Sequence, residues 1–230
     1  MYPVEPFKWS RLALPWALRT VSNSHLKEIR ESDKFYSYVK GKEVSLEDHG
    51  GNNSRYLCVS EAMRYVKCTK YAIDVGCREG EYTRYLARYF DHCYAFDYRF
   101  RPHFFYNVNV KKITHFNCPL GQHTGVIKAS GRGNIRAKKI DREWLPGEGG
   151  RAVNIYRLDE FGFRDVGLLK VDVDGMDEEV LRGAHSLIQE CKPVIIVEQQ
   201  VDSTHDALGY LIAEFGYEIK FKTSIDWFLA

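Results

Sequence analysis

The sequence predicts an α/β fold built on a doubly wound, mostly parallel sheet of seven strands. From about residue 60 onward, short apolar segments alternate with helical patterns, as in folds whose helices cover both faces of a parallel sheet. The last two apolar segments, YEIKFK and IDWFLA, follow each other closely enough to form a hairpin, which predicts one antiparallel strand at or near an edge. A glycine loop directly follows the first strand, within AIDVGCREGEYT (residues 72–83).

The predicted elements follow one another in a regular order. YAIDV, HCYAFD and ITHFN are the first three strands, and GLLKVDV, PVIIVE and the two hairpin segments are the other four. Between the first and second strands, helical spacing places five apolar or aromatic residues on one face: Tyr82, Tyr85, Leu86, Tyr89 and Phe90. Similar helical patterns follow GLLKVDV and PVIIVE.

Two parts of the chain depart from this alternation. Residues 1–60 are rich in aromatic and charged side chains and predict a helical N-terminal cap, and Ser60 is the predicted N-cap of the helix that opens the main domain, residues 61–230. Residues 121–158 form an insertion in which two strand-like segments, TGVIKAS and AVNIYRL, flank a basic, glycine-rich stretch. This insertion is either a solvated excursion or a part of the substrate site.

Composition narrows the class of protein. The hydrophobic fraction of 44% suffices for a sizeable core, and a net charge of +2 gives the whole chain no strong attraction to nucleic acid or membranes. The six cysteines lie far apart without a C-x-x-C pair, which argues against a zinc site or a disulfide framework. Without a signal peptide or an apolar segment of membrane-spanning length, the chain is expected to be cytoplasmic.

The glycine loop carries the strongest chemical signal. Gly76 and Gly80 allow a tight turn and a close approach to a ligand, but Arg78 stands where a dinucleotide fingerprint has its middle glycine. Asp97 ends the next strand about twenty residues later, where a carboxylate can bind ribose hydroxyls or simply cap a turn. Asp74 adds an acidic group, and Arg78 and Glu79 occupy the positions where a pyrophosphate would need bare backbone. The pattern therefore favours S-adenosylmethionine over a dinucleotide.

Later motifs resemble those of one methyltransferase family. LLKVDVDGMDEEVLRGA (168–184) and KPVIIVEQQ (192–200) resemble the FkbM family of S-adenosylmethionine-dependent methyltransferases. IDVGCREGEYT (73–83), NCPLGQHTG (117–125) and RLDEF (157–161) match three further motifs of that family in the right order. The resemblance covers about residues 60–230 and implies a Rossmann-like fold.

The resemblance also implies which residues contact S-adenosylmethionine. The predicted contacts lie in the glycine loop and after the second, third and fourth strands: Asp74, Gly76, Cys77, Arg78, Gly80, Tyr82, Thr83, Asp97, Tyr98, Asn117 and Asp172. Three sites depart from the family pattern. Asp174 replaces a glutamate, and Asp97-Tyr98 replaces glutamate-proline, which keeps the ribose carboxylate. Cys118-Pro119 departs from the alanine after the third strand, which leaves the adenine contacts open.

Three residues are the candidates for catalysis. Lys170 and Asp172 alternate along the fourth strand and therefore point to the same side, and Glu198 ends the fifth strand at a similar depth. A carboxylate there can remove the proton of a hydroxyl acceptor, although ion pairing of Lys170 with Asp172 is the structural alternative. Asp172, Asp174 and Asp177 also permit a magnesium site, but their spacing is unlike that of a calcium-binding loop, and no metal is predicted.

Three functions fit these motifs. The family resemblance implies O-methylation of a small molecule or glycan, and a binding module that keeps the cofactor fold without turnover is a non-enzymatic alternative. RNA 2′-O-methylation is the third, and it would use a tetrad of Lys, Asp, Lys and Glu. Asp172 and Glu198 could supply the acidic members, and Lys67 or Lys70 the first lysine. The second lysine is missing, since Lys192 lies at the start of its strand and therefore at the wrong end of the sheet. Five basic residues of the insertion would then contact RNA: Arg132, Arg136, Lys138, Lys139 and Arg142. The oligomeric state does not follow from the sequence.

Overall fold

The structure of the chain is a computed structural model, and it describes most of the chain from residue 52 onward. The described ranges are 35–37, 42–44, 52–101, 103–129, 151–173, 175–198, 206–223 and 226–230. Most of the predicted N-terminal cap, residues 1–60, and the centre of the predicted insertion, residues 130–150, therefore lie outside the described residues. In the described ranges, no helix has both the length and the apolar character that a membrane span requires.

The described residues form eleven strands and six α-helices. The strands are β1 Phe35–Ser37, β2 Lys42–Val44, β3 Tyr71–Val75, β4 His92–Phe96, β5 Ile113–Phe116, β6 Gly125–Ala129, β7 Arg151–Ile155, β8 Val166–Val171, β9 Val194–Glu198, β10 Ile219–Lys222 and β11 Asp226–Leu229. The helices are α1 Asn52–Ala62, α2 Thr83–Tyr89, α3 Phe104–Asn107, α4 Asp177–Gly183, α5 His185–Cys191 and α6 Ala207–Phe215. Two short 3-10 turns span Val110–Lys112 and Leu158–Phe161.

The predicted seven-stranded sheet is confirmed. Its order is β10-β11-β9-β8-β3-β4-β5, and its strands run parallel except for β11, which is antiparallel to both β9 and β10. The chain continues from β3 to β4 and β5 on one side and then returns to β8 and β9 on the other. The strand order therefore reverses between β3 and β8, which is where open α/β sheets bind ligands.

Both faces of the sheet are covered, which explains the continuous apolar segments. In β8, Leu168 packs into the cluster that includes Cys58 and Val59 of α1, whereas Leu169 packs on the opposite face with residues of α4 and α5. Because successive strand residues point to opposite faces, a strand between two helical layers has to be apolar at every position. All six residues of β8 are buried.

The start of α1 differs from the prediction. The helix begins at Asn52, so Ser60 lies inside it and its hydroxyl donates to the carbonyl of Leu57 (3.0 Å) instead of capping a helix end. Cys58 and Val59 are fully buried against the sheet. This packing sets the extent of the helix, and the local capping signal at Ser60 does not.

The predicted strands of the insertion are confirmed as an antiparallel ribbon of β6 and β7. Ile127 and Ile155 of the ribbon form a small apolar cluster with Met176, against which Tyr98 and Val173 pack. Tyr98 follows β4 and Val173 follows β8, so the ribbon lies against the carboxyl edge of the sheet. We call these five residues the apolar wall.

His115 on edge strand β5 is a buried histidine in an aromatic environment. It is 7% exposed, and its ring lies 4.8 Å from the ring of Phe104 and 5.5 Å from that of Phe105. Among the residues that the structure describes, neither ring nitrogen has a hydrogen-bond partner. Burial lowers the pKa of His115 from 6.5 to about 4, so the folded protein keeps this ring neutral.

We expect His115→Phe to make the protein more resistant to acid. The folded pKa lies below the ordinary value, so the stability that neutral His115 provides is complete above pH 6.5 and is lost as the pH falls towards about 4. Between about pH 7 and pH 4 the variant should lose about 1–3 kcal/mol less unfolding free energy than the wild type. Urea denaturation across this range measures the difference, and parallel pH profiles of the two proteins would contradict it.

Candidate active site

The glycine loop after β3 turns sharply at the point where the strand order reverses. Gly76, Arg78 and Gly80 all have positive φ angles, of 76°, 50° and 87°. A Cβ on Gly76 would lie 1.8 Å from the carbonyl oxygen of Asp172, so the loop rests directly on the end of β8. Glycine at position 76 is therefore required both by the backbone angle and by this close approach.

Asp97 joins the glycine loop to the end of β4. Its carboxylate accepts the backbone N–H of Arg78 (2.9 Å) and that of Arg99 (2.8 Å), and it is 9% exposed. Asn117, after β5, donates its side-chain amide to the carbonyl of Asp97 (3.0 Å). Burial raises the pKa of Asp97, while the two N–H groups and the Arg101 guanidinium oppose this rise. Asp97 is thus fixed in place at the edge where a ribose carboxylate was predicted.

Two further residues, Arg101 and Glu79, tie the loops after β3 and β4 together. Nη1 of Arg101 lies 3.5 Å from Oε1 of Glu79, and its Nε lies 3.9 Å from Oδ2 of Asp97. Asn107 of α3 donates to the carbonyl of Glu79 (2.7 Å). Sequence reasoning did not select these residues. The four-residue spacing of Asp97 and Arg101 was the available signal, but it did not identify Glu79 as the second partner.

Lys170 lies beneath the glycine loop between two aspartates. Its Nζ is 3.1 Å from Oδ1 of Asp74 and 3.5 Å from Oδ2 of Asp172, and it donates to the carbonyls of Gly76 (3.0 Å) and Val75 (3.3 Å). Lys170 is 2% exposed. Burial alone would lower the pKa of Lys170, but the two carboxylates outweigh it and hold this pKa well above its ordinary value. Lys170 therefore stays protonated, and its predicted position beside Asp172 is confirmed.

The predicted cofactor residues fall into two groups. Five are buried and support the loop from within: Asp74, Cys77, Gly80, Tyr82 and Thr83. In this group Asp74 has no exposed surface, and its Oδ2 accepts the hydroxyl of Thr83 at the start of α2 (2.5 Å). The other six lie along the carboxyl edge of the sheet: Gly76, Arg78, Asp97, Tyr98, Asn117 and Asp172.

Asp172 and Glu198 lie side by side at the ends of neighbouring strands, as predicted. Val171 pairs with Val197 in the sheet, which brings the next residues, Asp172 and Glu198, to the same level. Because Val171 and Val197 both pack into the core on one face, the Asp172 and Glu198 side chains both point to the other face of the sheet. The Asp172 side chain is 29% exposed, and Glu198 is half-buried, so both reach the open edge.

Two more carboxyl groups surround this pair. Asp226 at the start of β11 pairs with Glu198 in the sheet and is buried, and Asp177 opens α4. Burial, the Asp172 carboxylate and then Asp177 and Asp226 raise the pKa of Glu198 to about 8. Burial also raises the pKa of Asp177 to about 6, although its Oδ1 accepts the N–H of Val173 (3.1 Å). Asp226 was not predicted, because its place beside Glu198 depends on the register in which β11 pairs with β9.

Among the described residues, no group of three or more His, Cys, Asp or Glu side chains could hold a metal ion. The magnesium alternative also involved Asp174, which lies outside these residues. Of the lysines considered for RNA methylation, Lys70 precedes β3 and pairs with Asp165 (2.5 Å), and Lys192 precedes β9. Both therefore lie at the amino edge of the sheet, away from Asp172. The five basic residues of the insertion, between 132 and 142, lie outside the described ranges.

Comparisons with known proteins agree with this architecture. The family model of the methyltransferase FkbM domain matches residues 48–219, well over half of the chain. The solved structure of methyltransferase FkbM from Methylobacillus flagellatus KT is similar in fold, with a TM-score of 0.50 and 17% sequence identity over 71% of this chain and 44% of that one. This chain thus spans less than half the length of that relative. No curated protein matches the chain. The family match, supported by the sheet topology, shows that this chain belongs to the FkbM family of methyltransferases.

Proposed function

We propose that the chain is an S-adenosylmethionine-dependent methyltransferase that methylates a hydroxyl group of a small molecule or glycan. The observation that carries the proposal is the placement of three acidic groups, Asp97, Asp172 and Glu198, around the glycine loop at the switch point of the sheet. Membership of a methyltransferase family supplies the reaction class.

The residues at this edge fit S-adenosylmethionine better than a dinucleotide. Carboxylates attract a cationic sulfonium and repel a pyrophosphate. The guanidinium of Arg101, which lies next to the loop, is already engaged by Glu79 and Asp97. The positive φ angles at Gly76 and Gly80 keep the loop tight, so that a ligand can approach its backbone closely.

Each part of the edge has a task in this proposal. Asp97 accepts hydrogen bonds from the ribose hydroxyls, and Tyr98 and Asn117 flank the adenine. When bound, S-adenosylmethionine supplies a methyl group on a sulfonium whose sulfur keeps the electron pair of the broken C–S bond. Asp172 and Glu198 hold the acceptor hydroxyl in line and take its proton as the oxygen–carbon bond forms.

Lys170 receives a different role from the catalytic one that its sequence position suggested. It is buried, stays protonated and bonds the carbonyl of Gly76, so it positions the glycine loop and Asp172 and does not touch the acceptor. Asp74 acts through Lys170 and Thr83 in the same way.

The apolar wall completes the site between the ribose side and the acceptor side. Its members Tyr98 and Val173 directly follow Asp97 and Asp172 in sequence, and Ile127, Ile155 and Met176 pack behind them. Such a wall would exclude water from the region between the Asp97 and Asp172 carboxylates. Exclusion of water strengthens the electrostatic attraction between these carboxylates and a sulfonium.

Substituting Asp172 or Glu198 should lower the rate of methyl transfer much more than it weakens the binding of the methyl donor. Transfer of a labelled methyl group to a panel of sugars, phenols, carboxylic acids, amines and RNA identifies the acceptor class. With a hydroxyl acceptor, Asp172→Asn and Glu198→Gln should each lower kcat by about 100-fold, because each removes a proton-accepting group. Asp165→Asn, at the opposite edge of the sheet, is the matched control. Transfer only to amines, or unchanged kcat in both variants, would contradict the proposal.

No observation favours the RNA alternative over the small-molecule or glycan acceptor. Among the described residues, the lysine that pairs with Asp172 is Lys170, which is buried between two aspartates. RNA stays in the acceptor panel as the arm that tests it.

A further inference from the structure

Three carboxyl groups and the ammonium of Lys170 lie along one face of three neighbouring strands, and the three carboxyl groups share one level of the sheet. Lys170 and Asp172 belong to β8 and its end, Glu198 ends β9, and Asp226 begins β11. The sheet register places Glu198 between the other two carboxyl groups, with Asp172 on one side and Asp226 on the other. Lys170, the ammonium of this row, is shared with Asp74.

The placement of Asp172 and Glu198 side by side, with Asp226 on the far side of Glu198, favours a proton shared by the pair, because adjacent carboxylates disfavour each other's ionised form. Two ionised carboxylates offer acceptors alone, so they bond each other when one of them is protonated. Burial, followed by the charges of Asp172, Asp177 and the buried Asp226, raises the pKa of Glu198 to about 8, whereas Lys170 faces Asp172. The pair therefore carries one proton in the free protein at neutral pH.

We infer that the Asp172–Glu198 pair releases this proton when a cationic ligand binds beside it, and takes a proton back when that ligand becomes neutral. Burial of the pair and the neighbouring carboxyl groups of Asp177 and Asp226 keep the proton on the pair in the free protein. The identity of the cationic ligand, S-adenosylmethionine, rests on the proposed function.

The inference follows from electrostatic linkage. A positive charge near a carboxyl group favours its ionised form, so binding of a cation lowers the pKa of the pair and expels the proton. By the same linkage, affinity for the cation rises with pH, by up to about tenfold per pH unit, until the free pair is itself ionised near pH 8. A neutral ligand of the same shape lacks this dependence.

This exchange makes the base available when the donor is present. During transfer the acceptor oxygen gains the methyl carbon and loses its proton to the ionised pair, while the sulfur keeps the electron pair of the C–S bond. The pair is then protonated, as in the free protein, and next to it lies a neutral thioether that it no longer attracts. The neutral product should therefore bind less tightly than the donor, and increasingly so as the pH rises.

Proton release on binding tests the inference directly. Isothermal titration calorimetry in two buffers of different ionisation enthalpy gives the number of protons exchanged. At about pH 7 we expect the wild type to release about 0.5–1 proton with S-adenosylmethionine and close to none with S-adenosylhomocysteine, its neutral thioether product.

Three variants identify the groups involved. Glu198→Gln should abolish the proton release from the pair. Any proton exchange that this variant still shows comes from the ligands themselves. Asp226→Asn removes a negative neighbour, lowers the pKa of the pair and should move the pH dependence of S-adenosylmethionine binding to lower pH. Glu190 is an exposed residue of α5 that pairs with Arg164 (3.1 Å), and Glu190→Gln should change neither proton release nor its pH dependence. Thermal unfolding of each variant verifies its fold.

The outcomes separate this inference from the proposed function. Equal proton release with the two ligands, no release with either, or release that persists in Glu198→Gln would overturn the inference while donor binding still supports the proposed function. A titration in which the wild type binds no S-adenosylmethionine would overturn both.

Discussion

Lys170→Met is expected to lower the free energy of unfolding by about 3–5 kcal/mol, because it leaves the buried Asp74 carboxylate without its cation. Asp74 is completely buried, so water cannot replace the lost ammonium. The substitution also removes the hydrogen bond to the carbonyl of Gly76, so the glycine loop loses its contact with β8 through this side chain. Loss of donor binding should accompany the loss of stability.

Urea denaturation measures this effect, and the chain offers a matched control. Lys70 and Asp165 form an ion pair at the opposite edge of the sheet whose side chains are 50% and 53% exposed. Lys70→Met should therefore destabilise the protein far less than Lys170→Met. The double variant Asp74→Asn with Lys170→Met should recover part of the loss, since the uncompensated charge is gone. Equal losses for Lys70→Met and Lys170→Met would contradict this account of the buried pair.

Gly76→Ala should be comparably destabilising, by about 3–5 kcal/mol, since it combines backbone strain with a steric clash. The added Cβ would lie 1.8 Å from the carbonyl oxygen of Asp172, so the loop and the end of β8 would have to move apart. The displaced loop would also carry Arg78 away from Asp97 and thereby weaken the proposed ribose-binding position of Asp97.

Gly216→Ala separates the two contributions. Gly216 ends α6 with a φ of 71°, close to the 76° of Gly76, but a Cβ there would meet no atom within 4 Å. Its alanine variant should lose only about 1 kcal/mol from the left-handed backbone. Chemical denaturation of both variants gives the comparison. Similar losses would show that the close approach to Asp172 is unimportant.

The fold was largely predictable because its strands are apolar on both faces. VGLLKV reads as a buried strand without any tertiary information, and the closely spaced final segments indicated the antiparallel β11. The predicted start of α1 was wrong, because the packing of Cys58 and Val59 on the sheet overrides the local capping signal at Ser60.

The site was predictable where side-chain direction follows from strand geometry. The alternation of Lys170 and Asp172 predicted that they meet, and the strand ends predicted that Glu198 lies nearby. The burial of Asp74 was not predictable, because it depends on how Thr83 and α2 pack over it. Asp226 lies beside Glu198 because β11 pairs antiparallel with β9 in a register that no local pattern reveals.

Binding of S-adenosylmethionine to the wild type and to Asp97→Asn tests the central claim most directly. Calorimetry should show that the wild type binds S-adenosylmethionine and does not bind nicotinamide dinucleotides. Asp97→Asn, with its fold verified by thermal unfolding, should bind about 10–100-fold more weakly, because charge-assisted hydrogen bonds to the ribose are lost. Absence of binding to the wild type, or an affinity unchanged by Asp97→Asn, would contradict the assignment of this edge as the methyl-donor site.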